Sequence, residues 1–80
     1  MMDIMSEIKK AAKAEHTLMI NYTDAKGDGS QREVEPYELK DGGLWAYDID
    51  KGGIRQFKFD RISNAKMTNK PYSPRWAVII

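Results

Sequence analysis

The sequence contains no cysteine and only one histidine, His16. Disulfide staples and thiolate metal sites are therefore excluded, and a lone imidazole does not make a transition-metal site. No long hydrophobic run is present. The apolar stretch at the end, Trp76 to Ile80, is far shorter than the roughly 18 residues of a membrane span. The first ten residues carry Asp3 and Glu7 and lack the apolar centre of a secretory signal. A phosphate-cradling loop is missing as well: Gly27-Asp28-Gly29 and Gly52-Gly53 stand where hairpin turns belong. Asp24 and Asp28 lack the spacing and terminal glutamate of a calcium loop. His16 has no evident catalytic partner and reads as a capping or surface residue. These absences predict a cytoplasmic protein that is not an enzyme, holds no metal or other cofactor and does not enter a membrane.

Eighty residues make one domain, near the lower size at which a core holds without staples. Oligomerisation is one way such a chain gains stability, so a homo-oligomer is among the expectations. Net charge is close to zero but unevenly spread. Residues 1–50 hold six Lys/Arg against eleven Asp/Glu, whereas residues 51–80 hold seven against Asp60 alone. The imbalance points either to a basic surface for an anionic partner or to two halves that neutralise each other.

Two periodicities divide the chain. Over residues 3–14, Ile4, Ile8, Ala11 and Ala12 fall on one helical face while Lys9, Lys10 and Lys13 face water. Asp3 or Ser6 is placed to cap that helix. From residue 16 the period becomes two. Thr17–Thr23 puts Leu18, Ile20 and Tyr22 on one side, and Asp24–Ser30 turns the chain. Gln31–Leu39 is a second run in which Pro36 marks an edge or a bulge. Leu44–Ile49 and Ile54–Phe59 form a hairpin, and Ile62–Thr68 is a fifth strand. Short strands at this spacing predict a mostly β protein, a five-stranded antiparallel barrel over residues 16–68 behind one N-terminal helix. The tail, residues 69–80, is broken by Pro71 and Pro74 and is expected to pack on its own chain rather than on a neighbour.

A two-residue Lys51-Gly52 loop would set Asp48 opposite Arg55, Ala46 opposite Phe57 and Leu44 opposite Phe59. One face is then apolar and ends in the Asp48–Arg55 pair. The other carries Trp45, Tyr47, Ile49, Ile54, Gln56 and Lys58, a stacking platform beside a cation, unless the bent sheet buries Trp45. Arg55 is either a partner for Asp48 or, with Arg61, one of two guanidinium groups bracketing Phe57 and Phe59 at spacings of two, a geometry suited to phosphate or carboxylate.

The run Ile54-Arg55-Gln56-Phe57-Lys58-Phe59-Asp60-Arg61-Ile62 resembles the I-R-x-F-x-x-D-R-I signature of the WYL domain family. Ile20-Asn21-Tyr22, Arg32-Glu33-Val34-Glu35-Pro36 and Ala46-Tyr47-Asp48 resemble three further segments of that family in the same order. The name-giving triplet is not kept: Gly42-Gly43-Leu44 stands there, and Trp45 is one position on. The resemblance implies an Sm-like or SH3-like barrel that senses ligands, usually behind a helix-turn-helix in bacterial regulators. The ligands it implies are single-stranded nucleic acids or nucleotides, with Tyr47, Arg55 and Arg61 as binding candidates and Arg32 and Tyr22 beside them. The residues themselves add Lys58 and Trp45. With no room for a helix-turn-helix, the chain reads as a free-standing bacterial or phage sensor acting through a protein partner. The competing expectation is an interaction or assembly module working through barrel edge strands and the apolar tail.

Overall fold

A computed structural model describes residues 3–80. Helix α1 (Ile4–Ala14) is followed by five strands: β1 (His16–Thr23), β2 (Gly29–Lys40), β3 (Gly43–Asp48), β4 (Gly53–Lys58) and β5 (Ile62–Pro71). A 3-10 turn, Phe59–Arg61, joins the last two. The sheet is antiparallel throughout, in the order β4-β3-β2-β1-β5. β4 and β5 form its two edges, so the hydrogen-bond ladder does not close into the expected barrel. Among the described residues, no helix is long and apolar enough to cross a membrane.

α1 buries the stripe its spacing predicts, with Ile8 and Ala11 fully buried and Ala12 nearly so. The expected side-chain cap is not made. Asp3 precedes the helix, but its carboxylate only receives the Ser6 hydroxyl at 3.5 Å, while its carbonyl accepts the Glu7 N–H. At the other end Glu15 adopts a left-handed conformation (φ 57°), and its N–H closes on Ala11 and Ala12. Glu7 is buried beside Ile8 although it is charged. Its carboxylate accepts the backbone N–H of Met67 on β5 at 3.0 Å and pairs with Lys10 at 2.9 Å. The Met67 N–H, then Lys10, hold the carboxyl below the usual glutamate range against the opposing effect of burial.

The core lies between α1 and the inner face of the sheet. Leu18, Ile20 and Tyr22 of β1, Val34 of β2, Leu44 and Ala46 of β3, Phe57 of β4 and Ala65 of β5 meet Ile8 and Ala11 there. Both edge strands supply core residues, so the sheet bends around one cluster.

Two local features position the site. Pro36 is fully buried in a strand with neighbours on both sides, and the β2–β3 register shifts between Pro36 and Glu38. Tyr37 is the extra residue of this bulge, where the missing proline N–H is tolerated. The β3–β4 hairpin is longer than the two-residue loop predicted. Asp48 pairs with Gly53, Ala46 with Arg55 and Leu44 with Phe57. The cause is the Asp48 side chain, which accepts the N–H groups of Asp50 (3.1 Å) and Lys51 (3.2 Å), while Gly52, at φ 71°, donates to the Asp48 carbonyl. The slip is even, so each residue stays on its expected face.

Candidate functional site

Asp48 ends β3 on the inner face and is completely buried. A buried carboxylate needs cationic or N–H partners, and this one has both. Arg32 of β2 donates to it at 3.0 Å, and Arg55 of β4 reaches it at 3.6 Å. Both hairpin N–H groups described above point at the same side chain. Two guanidinium groups on one carboxylate leave one positive charge uncompensated at the end of the core.

The surroundings are aromatic. The Arg55 guanidinium lies 5.6 Å from the centre of the Phe57 ring, and Tyr22 meets Phe57 edge-on at 5.0 Å. Arg32 also donates through Nε to the Ser30 hydroxyl at 3.0 Å, which fixes its plane. Its side chain is 16% exposed, whereas that of Arg55 is 41% exposed and remains free to reach outward. Tyr22, Arg32 and Arg55 are thus brought together from β1, β2 and β4.

Arg61 is placed differently from its sequence pattern. β4 ends at Lys58, and Phe59–Arg61 leave the extended conformation, so the spacing of two does not continue past the strand. Arg61 instead donates to the Asp24 carbonyl in the β1–β2 turn at 2.8 Å, just beyond Tyr22. Lys58 is exposed, and its backbone N–H approaches the Tyr22 hydroxyl at 3.4 Å. His16 makes a structural contact, its Nδ1 lying 2.9 Å from the Thr68 carbonyl.

Trp45 and Tyr47 lie on the outer face, away from the arginine cluster. There the tail returns over the sheet, as expected of a tail that packs on its own chain. Arg75 sits 3.9 Å from the centre of the Tyr47 ring, and Trp76 lies 6.2 Å from the same ring. The stacking platform read from the hairpin is therefore occupied by the chain itself. The Trp45 Nε1–H is buried and unpartnered.

The second arginine on Asp48 was not legible in the hairpin alone. Arg32 arrives from β2, whose pairing with β3 runs through the Pro36 bulge, and only the alternation of Arg32 with Val34 hints that it points inward. Glu7 carried a signal, since it falls three residues after Ile4 and beside Ile8 on the helical stripe.

A family model described as the WYL domain matches residues 3–67. Among solved structures, proteasome accessory factor B/C (PafBC) of Arthrobacter aurescens superposes with a TM-score of 0.77 and 24% sequence identity, over 86% of this chain and 12% of that one. The chain spans about an eighth of that relative's length, and the likeness is one of fold.

Proposed function

The chain belongs to the WYL domain family, and on that premise we propose that it is a regulatory ligand-sensing module, not a catalyst, that binds single-stranded nucleic acid or a nucleotide-like anion. The observation that carries this reading is the buried Asp48 holding Arg32 and Arg55 beside the Phe57 ring. Asp48 orients the two guanidinium groups before any ligand arrives, which lowers the ordering cost of binding. Arg55 turns its free edge to a phosphate, the buried Phe57 and Tyr22 rings back its guanidinium from the core side, and Arg61 and Lys58 extend the cationic rim. The Sm-like or SH3-like description belongs to the same proposal. An N-terminal helix, five antiparallel strands and the 3-10 turn before the last of them support it.

Fluorescence anisotropy of labelled single-stranded DNA and RNA of ten to twenty nucleotides, titrated across a salt series, tests the reading. Binding that weakens with salt and is lost in Arg55→Ala/Arg61→Ala is the expected result. Unchanged affinity in that double variant, shown to be folded by circular dichroism, refutes it.

A further inference from the structure

On the outer face the chain's own tail is docked, away from the arginine cluster. The contact centres on the bulge at Tyr37. As the extra residue, Tyr37 lies outside the β2–β3 pairs, and its carbonyl accepts the Ile79 N–H at 2.7 Å, next to a parallel bridge between Glu38 and Ile79. The Tyr37 hydroxyl donates to Glu35 at 2.8 Å and accepts the Arg75 N–H at 2.9 Å. Glu35 is itself buried, and its carboxylate receives Arg75 Nε at 3.1 Å while the Tyr47 ring covers the guanidinium. Trp76 then meets Tyr37 edge-on at 5.3 Å. A carboxylate, an aromatic face and a free carbonyl in this order select an arginine followed by an aromatic residue in extended backbone.

We propose that the Glu35–Tyr37–Tyr47 patch is a docking site for the Arg75–Ile79 segment that works between two copies of the chain as well as within one. Three observations favour a second copy as the occupant. The segment that fits is the chain's own, so a neighbouring copy carries the same key and the same lock. The tail docked in its own chain leaves apolar surface open: Ile54, Trp76 and Ile79 are 47%, 51% and 63% exposed. These three, with Tyr37, Trp45 and Ala77, line a groove of about 450 Å³. Finally, the connector is short. Only Ser73 and Pro74 separate Arg75 from Tyr72, which is fastened by its N–H to Glu15 and by its hydroxyl to Pro36. The three steps from Tyr72 to Arg75 reach roughly 10 Å when extended. Exchange of the segment therefore forces the outer faces of the two copies together, where the exposed Ile54, Trp76 and Ile79 side chains of each cover the other.

Charge reversal separates exchange from self-docking. Glu35→Arg alone and Arg75→Glu alone each set like charges against each other within one chain, but in a mixture both inter-chain contacts become complementary. Sedimentation of the mixture is expected to give a species of twice the 9.2 kDa chain mass, while each variant alone stays monomeric. The double variant E35R/R75E is expected to restore the wild-type Trp76 emission. A mixture that remains monomeric up to about 1 mM, the scale of effective concentration for a short tether, overturns the proposal. Should Glu35→Arg not fold, the full chain carrying Arg75→Ala and Trp76→Ala is titrated with a synthetic peptide of residues 72–80. Saturable shifts of the Tyr37 and Tyr47 resonances, at least tenfold weaker with the Arg75→Ala peptide, support docking in trans, and no saturable shift overturns it.

Discussion

At the scale of single residues, two of the three buried carboxylates, Asp48 and Glu7, decide most of the behaviour. Asp48 compensates two arginines and ties down a turn, so removing it leaves Arg32 nearly buried without an anion. Asp48→Ala is expected to lower unfolding free energy by about 3–5 kcal/mol, as for other broken buried pairs, measured by urea denaturation. Asp48→Asn, which keeps an acceptor for the turn, is expected to cost less. Glu7 behaves differently because its effect depends on pH. Its carboxyl is held below the usual range when folded, so its contribution is fully present above the unfolded value and is lost as pH falls through the folded one. Thermal melting is expected to fall on that acid side, and Glu7→Gln to remove that part of the dependence. Asp48 was half legible in the sequence, through its hairpin partner Arg55. Arg32 was named only through the family resemblance, and its place on Asp48 was not legible, because the hairpin pattern does not reveal a β2–β3 register that a bulge has shifted.

At the scale of elements, alternation and turn residues located the helix and all five strands, and they placed Trp45 and Tyr47 on the face opposite Phe57. Hairpin length was not legible: Lys51-Gly52 suits a tight loop, yet the Asp48 side chain organises a longer one. The tail was legible as an apolar segment but its anchors were not, since Glu35, Tyr37 and Tyr47 are distant in sequence from Arg75. Those anchors give the tail its own pH response. Burial, chiefly, pushes the Tyr37 hydroxyl up to about 12, and Tyr72 is raised by burial too. A raised acid stabilises the docked state below the free tyrosine value, about 10, and that stabilisation is lost as pH rises towards the docked value. Trp76 emission is therefore expected to shift towards that of exposed indole between about pH 10 and 12. Emission unchanged across that window would show that these hydroxyls do not hold the tail.

For the whole molecule, part of the uneven charge is neutralised between the two halves of the chain. The strand order sends β4, with Arg55 and Lys58, to one edge and β5, with Lys66 and Lys70, to the other. Acidic residues of the first half meet the basic second half at Lys70–Glu33, Arg75–Glu35 and Arg55–Asp48. Both expectations from the charge pattern thus hold in part: neutralisation across the molecule, and a small cationic cluster at its arginine end. Binding to single strands through Arg55 and Arg61 is then expected to show a shallow salt dependence, with a log–log slope of about −1 to −2 for two phosphates at roughly 0.7 each. A much steeper slope would mean that the edges act together as one surface.

The position of β1 between β2 and β5 has a consequence for how the chain comes into being. The helix, made first, finds its carboxylate's backbone partner sixty positions later, at Met67. Until β5 closes on β1, α1 lacks one wall of its pocket, and a helix of eleven residues is unstable by itself. The β1–β4 meander can pair hairpin by hairpin during synthesis, but the β1–β5 contact, Leu18 opposite Met67, closes more than half of the chain in one loop. That gives slow, late closure. A chain cut before residue 62 would thus hold an unlatched sheet, its inner apolar face open on the side where β5 belongs.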